Sequence, residues 1–298
     1  MFLDDFIAET KKRELNIFSI IVYKEGQLFC EAHMRPERAV NQYSVSKAFT
    51  CCSAGLAIEE GYIDLDTKVS DVLFEHMPKV PNERLLKITL YDLLTMTSGH
   101  GEAYLMPGQR DKYSEHDWIA YTLRQPIVYE PGEKFCYDNS LSYLICAMLE
   151  KKIGYSLSEY LTSRLFEPLG IHSFSWGKCP LGYIFGGSDL RITTRQMASV
   201  GLLFTSRKKG ILSEDFLNLA TKKHIDTDWY GEGSYGYGFQ LWQCKKPGII
   251  RAEGALGQLC IIDRNKDIVI AINSQEQKCA SDNRLIFEYL WDTVYDRL

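Results

Sequence analysis

Ser44 and Lys47 stand three residues apart in the stretch Tyr43-Ser44-Val45-Ser46-Lys47-Ala48-Phe49-Thr50. Residues at that spacing share one face of a helix, so a hydroxyl and an amine can point into the same cavity. The chemistry on offer is nucleophilic: a serine oxygen beside a group able to take its proton. From Lys47 to Ile58 the sequence is apolar on nearly every side, which predicts a helix buried between two layers. Burial disfavours the lysine ammonium, and a helix N-terminus favours the alkoxide that Ser44 becomes. The plain alternative for Ser44 is a helix N-cap. Two other Ser-x-x-Lys runs serve as controls. Ser175-Trp176-Gly177-Lys178 reads as a turn, and Ser206-Arg207-Lys208-Lys209 ends a helix in a solvated basic cluster, so neither sets its lysine against an apolar wall.

Two further stretches carry candidate groups. Glu130-Pro131-Gly132 is a turn, and it leads into Tyr137-Asp138-Asn139, the one Tyr-x-Asn among eighteen tyrosines. Taken alone, Tyr137 reads as a packing residue and Asn139 as the cap of a helix that begins at Ser140. In Arg251-Ala252-Glu253-Gly254-Ala255-Leu256-Gly257-Gln258, glycines interrupt a strand, as happens at a bend or where a ligand approaches the backbone.

The elements that must position these groups follow from the rest of the chain. With 298 residues, 45% hydrophobic and 24% charged, it can bury a full core as an ordinary globular protein. A formal charge of −5 argues against a nucleic-acid partner, and basic clusters such as Lys11-Lys12-Arg13 read as solvated faces. An acidic amphipathic helix opens the chain without a signal peptide or membrane span, so a cytoplasmic protein with no membrane partner is expected. Nine cysteines, mostly within apolar runs, suit reduced thiols, and the six histidines show no metal-ligand spacing. Neither a metal nor a cofactor is expected.

Residues 16–23 and 27–33 read as a β-hairpin, and strands return at 238–244, 248–251, 257–262 and 267–272, before a final helix over about 282–298. Helices and long loops fill the middle. The predicted fold is mixed α/β (α+β). One antiparallel sheet is built from both chain ends and flanked by terminal helices, with a helical domain inserted. The division is 1–43 plus 179–298 for the sheet domain and 44–178 for the inserted domain.

In this order, Ser44-x-x-Lys47, Tyr137-x-Asn139 and the glycine-broken strand at 252–254 resemble the serine β-lactamase and penicillin-binding-protein superfamily, in its class C branch. The stretches 61–69, 88–100, 130–132 and 165–171 are similar too, so the resemblance covers nearly the whole chain. It implies a β-lactamase/transpeptidase-like fold, with Ser44 as acylated nucleophile and Lys47 and Tyr137 as the proton-transfer pair. It leaves open which of the two is the base. Asn139 would hold Lys47 or a substrate carbonyl, and the backbone N–H groups of Ser44 and Ala255 would form the oxyanion hole.

Two positions depart from the superfamily pattern. Asp138 stands where serine or alanine is common, and Ala252-Glu253-Gly254 replaces Lys-Thr-Gly, removing the cation that meets a β-lactam carboxylate. The run Ala-x-Gly-x-x-Gly-Gln is more similar to β-lactamase-like esterases and nylon-oligomer hydrolases. The expected activity is therefore hydrolysis of a small ester or amide through an acyl-enzyme on Ser44. The alternatives are a D-Ala carboxypeptidase or true β-lactamase, and a non-catalytic ligand-binding protein of the same fold. Glu253 and Gly254 are candidate substrate contacts, as is His100, where a pocket-rim loop over 100–118 would begin. A pocket-facing Glu253 would repel anionic substrates; bound to Arg251 or turned to solvent it would not. Oligomeric state is not readable from the sequence.

Overall fold

The β-rich run after the first helix folds as β1 (Ile17–Lys24) and β2 (Gln27–His33), and α1 (Asp4–Lys12) precedes them. Glu25 and Gly26 both take positive φ, 52° and 73°, the geometry that a two-residue hairpin turn requires. The structure is a computed structural model that describes residues 2–205, 210–227, 235–274 and 280–298. The control stretch Ser206–Lys209 lies outside the described residues.

After β3 (Val40–Asn41), a single 3-10 turn over Tyr43–Val45 leads into α2 (Ser46–Glu59). Every residue of α2 from Ser46 to Ala57 is buried, as its all-round apolar sequence requires. Then come α3 (Val69–Val72), α4 (Leu90–Leu94), α5 (Trp118–Leu123), α6 (Asn139–Ile153) and α7 (Leu157–Leu161). The chain continues through β4 (Ser175–Trp176), β5 (Leu190–Ile192), α8 (Thr194–Phe204) and α9 (Glu214–Thr221). It closes with β6 (Trp242–Gln243), β7 (Ile249–Glu253), β8 (Leu259–Asp263), β9 (Ile268–Ser274) and α10 (Ala280–Thr293).

The main sheet is antiparallel in the order β2-β1-β9-β8-β7-β6, so the first hairpin pairs with the last long strand. Ile20 lies opposite Ile272 and Val22 opposite Ile270. One face of the sheet packs Ile20, Val22, Ile249, Ile261 and Ile270 against α1 and α10, through Phe6, Phe287 and Leu290. The other face packs Ile250, Ala252, Cys260, Val269 and Ala271 into the same core as α2, α6 and α8.

The strand expected over 238–244 shrinks to Trp242–Gln243. Gln240 is the reason: it is buried at φ 59°, its N–H donates to the Leu94 carbonyl, and its side-chain amide donates to the Leu93 and Leu94 carbonyls. Those bonds draw the segment off the sheet edge toward α4. A small ribbon, β3-β5-β4, was not legible in the sequence, since its strands are two or three residues long.

Candidate active site

Ser44 lies in the 3-10 turn before α2, and it does not cap the helix; Val45 occupies that position, with no side-chain cap. The Ser44 Oγ instead lies 3.2 Å from the Lys47 Nζ. Lys47 is 1% exposed, and its amine has two other partners, Asn139 Oδ1 at 2.6 Å and the Gly187 carbonyl at 2.9 Å. Both of those atoms can only accept. A neutral amine has two N–H donors and one lone pair, so serving both acceptors leaves the lone pair for the Ser44 hydroxyl. Burial, opposed by the Asp138 carboxylate and reinforced by Arg110, pushes the Lys47 pKa from 10.5 down to about 7.

Asn139 reaches Lys47 because its neighbour takes over the capping. Asp138 is the N-cap of α6 and accepts from Ser140 N at 2.7 Å and from Tyr104 N at 3.0 Å. The Asn139 amide nitrogen donates to the Leu105 carbonyl at 3.4 Å, which fixes its oxygen toward Lys47. Gly187 approaches Asn139 so closely that a Cβ there would stand 3.2 Å from its atoms. The Tyr137 ring lies beneath the amine, with Nζ 4.7 Å from its centroid, and stacks on Trp242 at 5.1 Å. Tyr237 packs edge-on against both rings.

The broken strand arrives from the sheet side. A Cβ on Gly254 would stand 2.7 Å from the Gln42 carbonyl, so only glycine lets the end of β7 meet the chain just before Ser44. Ser44, Lys47, Tyr137, Asn139 and Gly254 are thus brought together, and Ala255 follows at the exposed end of the strand.

Two candidates are not. Glu253 shares the β7 face of Ile249 and Arg251, under α10, while Ala252 faces the other core. Its Oε2 accepts from Arg251 Nε at 3.0 Å, and the Arg251 guanidinium is fully buried beside the Phe287 ring. The expectation of a cleft-facing Glu253 is corrected accordingly: strand alternation turns it away. His100 is also misplaced as a substrate contact. It is 2% exposed, with Nδ1 3.3 Å from Asp138 Oδ2 and 3.2 Å from Ser98 Oγ, and its ring lies edge-on to Tyr104. Gly99, at φ 89° and too close to the Tyr129 carbonyl to carry a Cβ, turns the chain inward there.

Sequence reasoning missed the Gly187 carbonyl, Trp242, and the group formed by Asn41, Arg110 and Asp189. The adjacent pair Gly186-Gly187 was the available signal for a close backbone approach. Among the described residues, no group of three His, Cys, Asp or Glu side chains could hold a metal, and no helix is long and apolar enough to cross a membrane.

Comparison with known proteins gives the family and the fold. Residues 3–294 match the Beta-lactamase family. The chain belongs to that family. Among curated relatives, it is 31% identical to monacolin J acid methylbutanoyltransferase of Aspergillus terreus, over 43% of this chain and 35% of the relative. It is also 31% identical to a beta-lactamase of Escherichia coli K12, over 46% of this chain and 34% of the relative. These matches span about a third of the curated relatives' length. In fold, the chain superimposes on an octameric penicillin-binding-protein homologue from Pyrococcus abyssi with TM-score 0.81 and 20% identity, covering 97% of this chain and 76% of that one. EstCE1, a hydrolase with promiscuous acyltransferase activity, gives TM-score 0.78 and 17% identity over 99% and 98%.

Proposed function

We propose that this member of the Beta-lactamase family, close to its class C branch, is a serine hydrolase that forms an acyl-enzyme on Ser44 from a small ester or amide. One observation carries the reading: a buried lysine amine, anchored by two obligate acceptors, presents its third bonding direction to a serine oxygen 3.2 Å away. In this mechanism Lys47 takes the Ser44 proton as Oγ attacks the substrate carbonyl. The backbone N–H groups of Ser44 and Ala255 stabilise the oxyanion. The Lys47 proton then passes to the leaving group, with Tyr137 as the second member of the proton-transfer pair, and water or another nucleophile releases the acyl group. Acyl transfer named for the Aspergillus relative and for EstCE1 makes a non-water acceptor a natural variant of the same chemistry.

With Glu253 held by Arg251 on the far face, charge repulsion no longer sets substrate preference. Tyr137 and Trp242 favour neutral, apolar acyl groups, and Ala252 supplies no cation for a β-lactam carboxylate. A fluorophosphonate probe and p-nitrophenyl esters test the assignment. Wild type is expected to be labelled and to hydrolyse the esters, Ser44→Ala to do neither, and penicillins and cephalosporins to turn over slowly or not at all. Labelling that persists in Ser44→Ala places the nucleophile elsewhere.

A further inference from the structure

Tyr43, the residue before the nucleophile, has φ 46°, a left-handed conformation that a bulky aromatic residue adopts only when its surroundings impose it. The imposing group is a chain of hydrogen bonds that runs from Arg110 through Asp189 and Asn41 to Tyr43. Asn41 Oδ1 accepts the Tyr43 N–H at 2.8 Å, and Asn41 Nδ2 donates to Asp189 Oδ1 at 3.1 Å. Asp189 is itself left-handed, at φ 69°, and can lie where it does because Gly177 has no Cβ to meet it. Its carboxylate accepts from Arg110 and, at 2.7 Å, from Ser188 Oγ. Arg110 also donates to Ser188 Oγ at 3.3 Å, and its guanidinium carbon lies over the Phe185 ring, 4.0 Å from the centroid. The residue before Ser188 is Gly187, whose carbonyl holds Lys47.

We infer that Asn41, Asp189 and Arg110 form a brace that holds Tyr43 left-handed and so positions Ser44 and its N–H for attack, making all three positioning residues of the reaction. This rests on the reading of Ser44 as nucleophile. The same brace locks the Gly187 carbonyl, so one set of bonds aligns both the nucleophile and its base. Arg110 is contributed by the 100–118 loop, which gives that loop a part in catalysis rather than only in enclosing a substrate. Supporting this, burial works against the Asp189 charge, yet the hydrogen bonds from Arg110 and Ser188 hold its pKa below the ordinary value.

Glycine adopts a positive φ without help, so Tyr43→Gly separates positioning from general structural damage. Asn41→Ala is expected to slow fluorophosphonate labelling and ester kcat about tenfold or more with KM nearly unchanged. In the Tyr43→Gly background, the same substitution is expected to cost no more than about threefold. An equal loss in both backgrounds overturns the brace while leaving Ser44 in place. Failure of wild type to be labelled at all overturns both readings. If Asn41→Ala does not fold, Asn41→Asp keeps the acceptor for the Tyr43 N–H but opposes Asp189; a wild-type rate there overturns the proposal. The Lys47 amine lies over the Tyr137 ring, and its charge is favoured by Asp138 and opposed by Arg110. Arg110→Gln removes a cation and leaves Asp189 unneutralised, so the acidic limb of kcat/KM should move to higher pH; an unmoved limb removes Arg110 from the brace.

Discussion

Lys47 has a side chain whose ordinary chemistry is reversed by its position. With its pKa near 7, the native chain releases a proton that the unfolded chain keeps up to about pH 10.5. Between those values the unfolded state binds more protons, so stability rises with pH, and below about pH 7 the contribution is flat. Urea titrations at pH 7, 8 and 9 should therefore show wild type gaining about 1.4 kcal/mol per pH unit relative to Lys47→Met. A constant difference would mean that Lys47 is charged in the fold. The kcat/KM profile should rise through the same region, since the proposed mechanism uses the neutral amine as base. Tyr137 separates packing from chemistry in the same way. Tyr137→Phe keeps the ring on Trp242, so the melting temperature should hold while kcat falls about 10²-fold. Near-normal turnover would leave Tyr137 a packing residue.

At the scale of elements, the site is set by where each helix and strand begins and ends. Capping of α6 by Asp138 leaves the next side chain, Asn139, free to turn inward, and the two neighbours then serve different faces. On β7, alternation puts Ala252 on the side of α2 and Glu253 under α10. Glu253→Gln should accordingly leave the choice between anionic and cationic esters unchanged. It should instead destabilise the fold by roughly 2 kcal/mol, because the buried Arg251 guanidinium loses its carboxylate. Urea unfolding and paired ester kinetics measure the two effects. A changed charge preference would put Glu253 back in the cleft.

Across the whole molecule, β1 pairs with β9, so both ends of the chain are needed to complete one sheet. We propose that the division into 1–43 plus 179–298 and 44–178 marks two layers and not two independently folding units. A single core runs through both: Ala48, Phe49 and Leu144 belong to the same buried cluster as Ile250, Cys260 and Val269. Urea unfolding followed by tryptophan fluorescence and by far-ultraviolet circular dichroism should give one coincident transition. Separate midpoints would show that the layers unfold apart.

The sequence by itself determined the local patterns: the hairpin with its Glu25-Gly26 turn, the long strands β8 and β9, the buried helix after Ser44, and the three motifs that suggested the family. Each is written in residue type and short spacing, through hydrophobic periodicity, turn chemistry and a face shared at three residues. Tertiary structure alone decided what happens between segments distant in the chain. The Gly187 carbonyl meets Lys47 across 140 residues, and Asn41 meets Asp189 across 148. It also decided direction. Glu253 and His100 carry suitable chemistry near the right motifs, but a period of two on β7 and the inward turn at Gly99 point them away from the cleft. Side-chain direction near a bend depends on backbone dihedrals and long-range contacts, which the order of residues does not display.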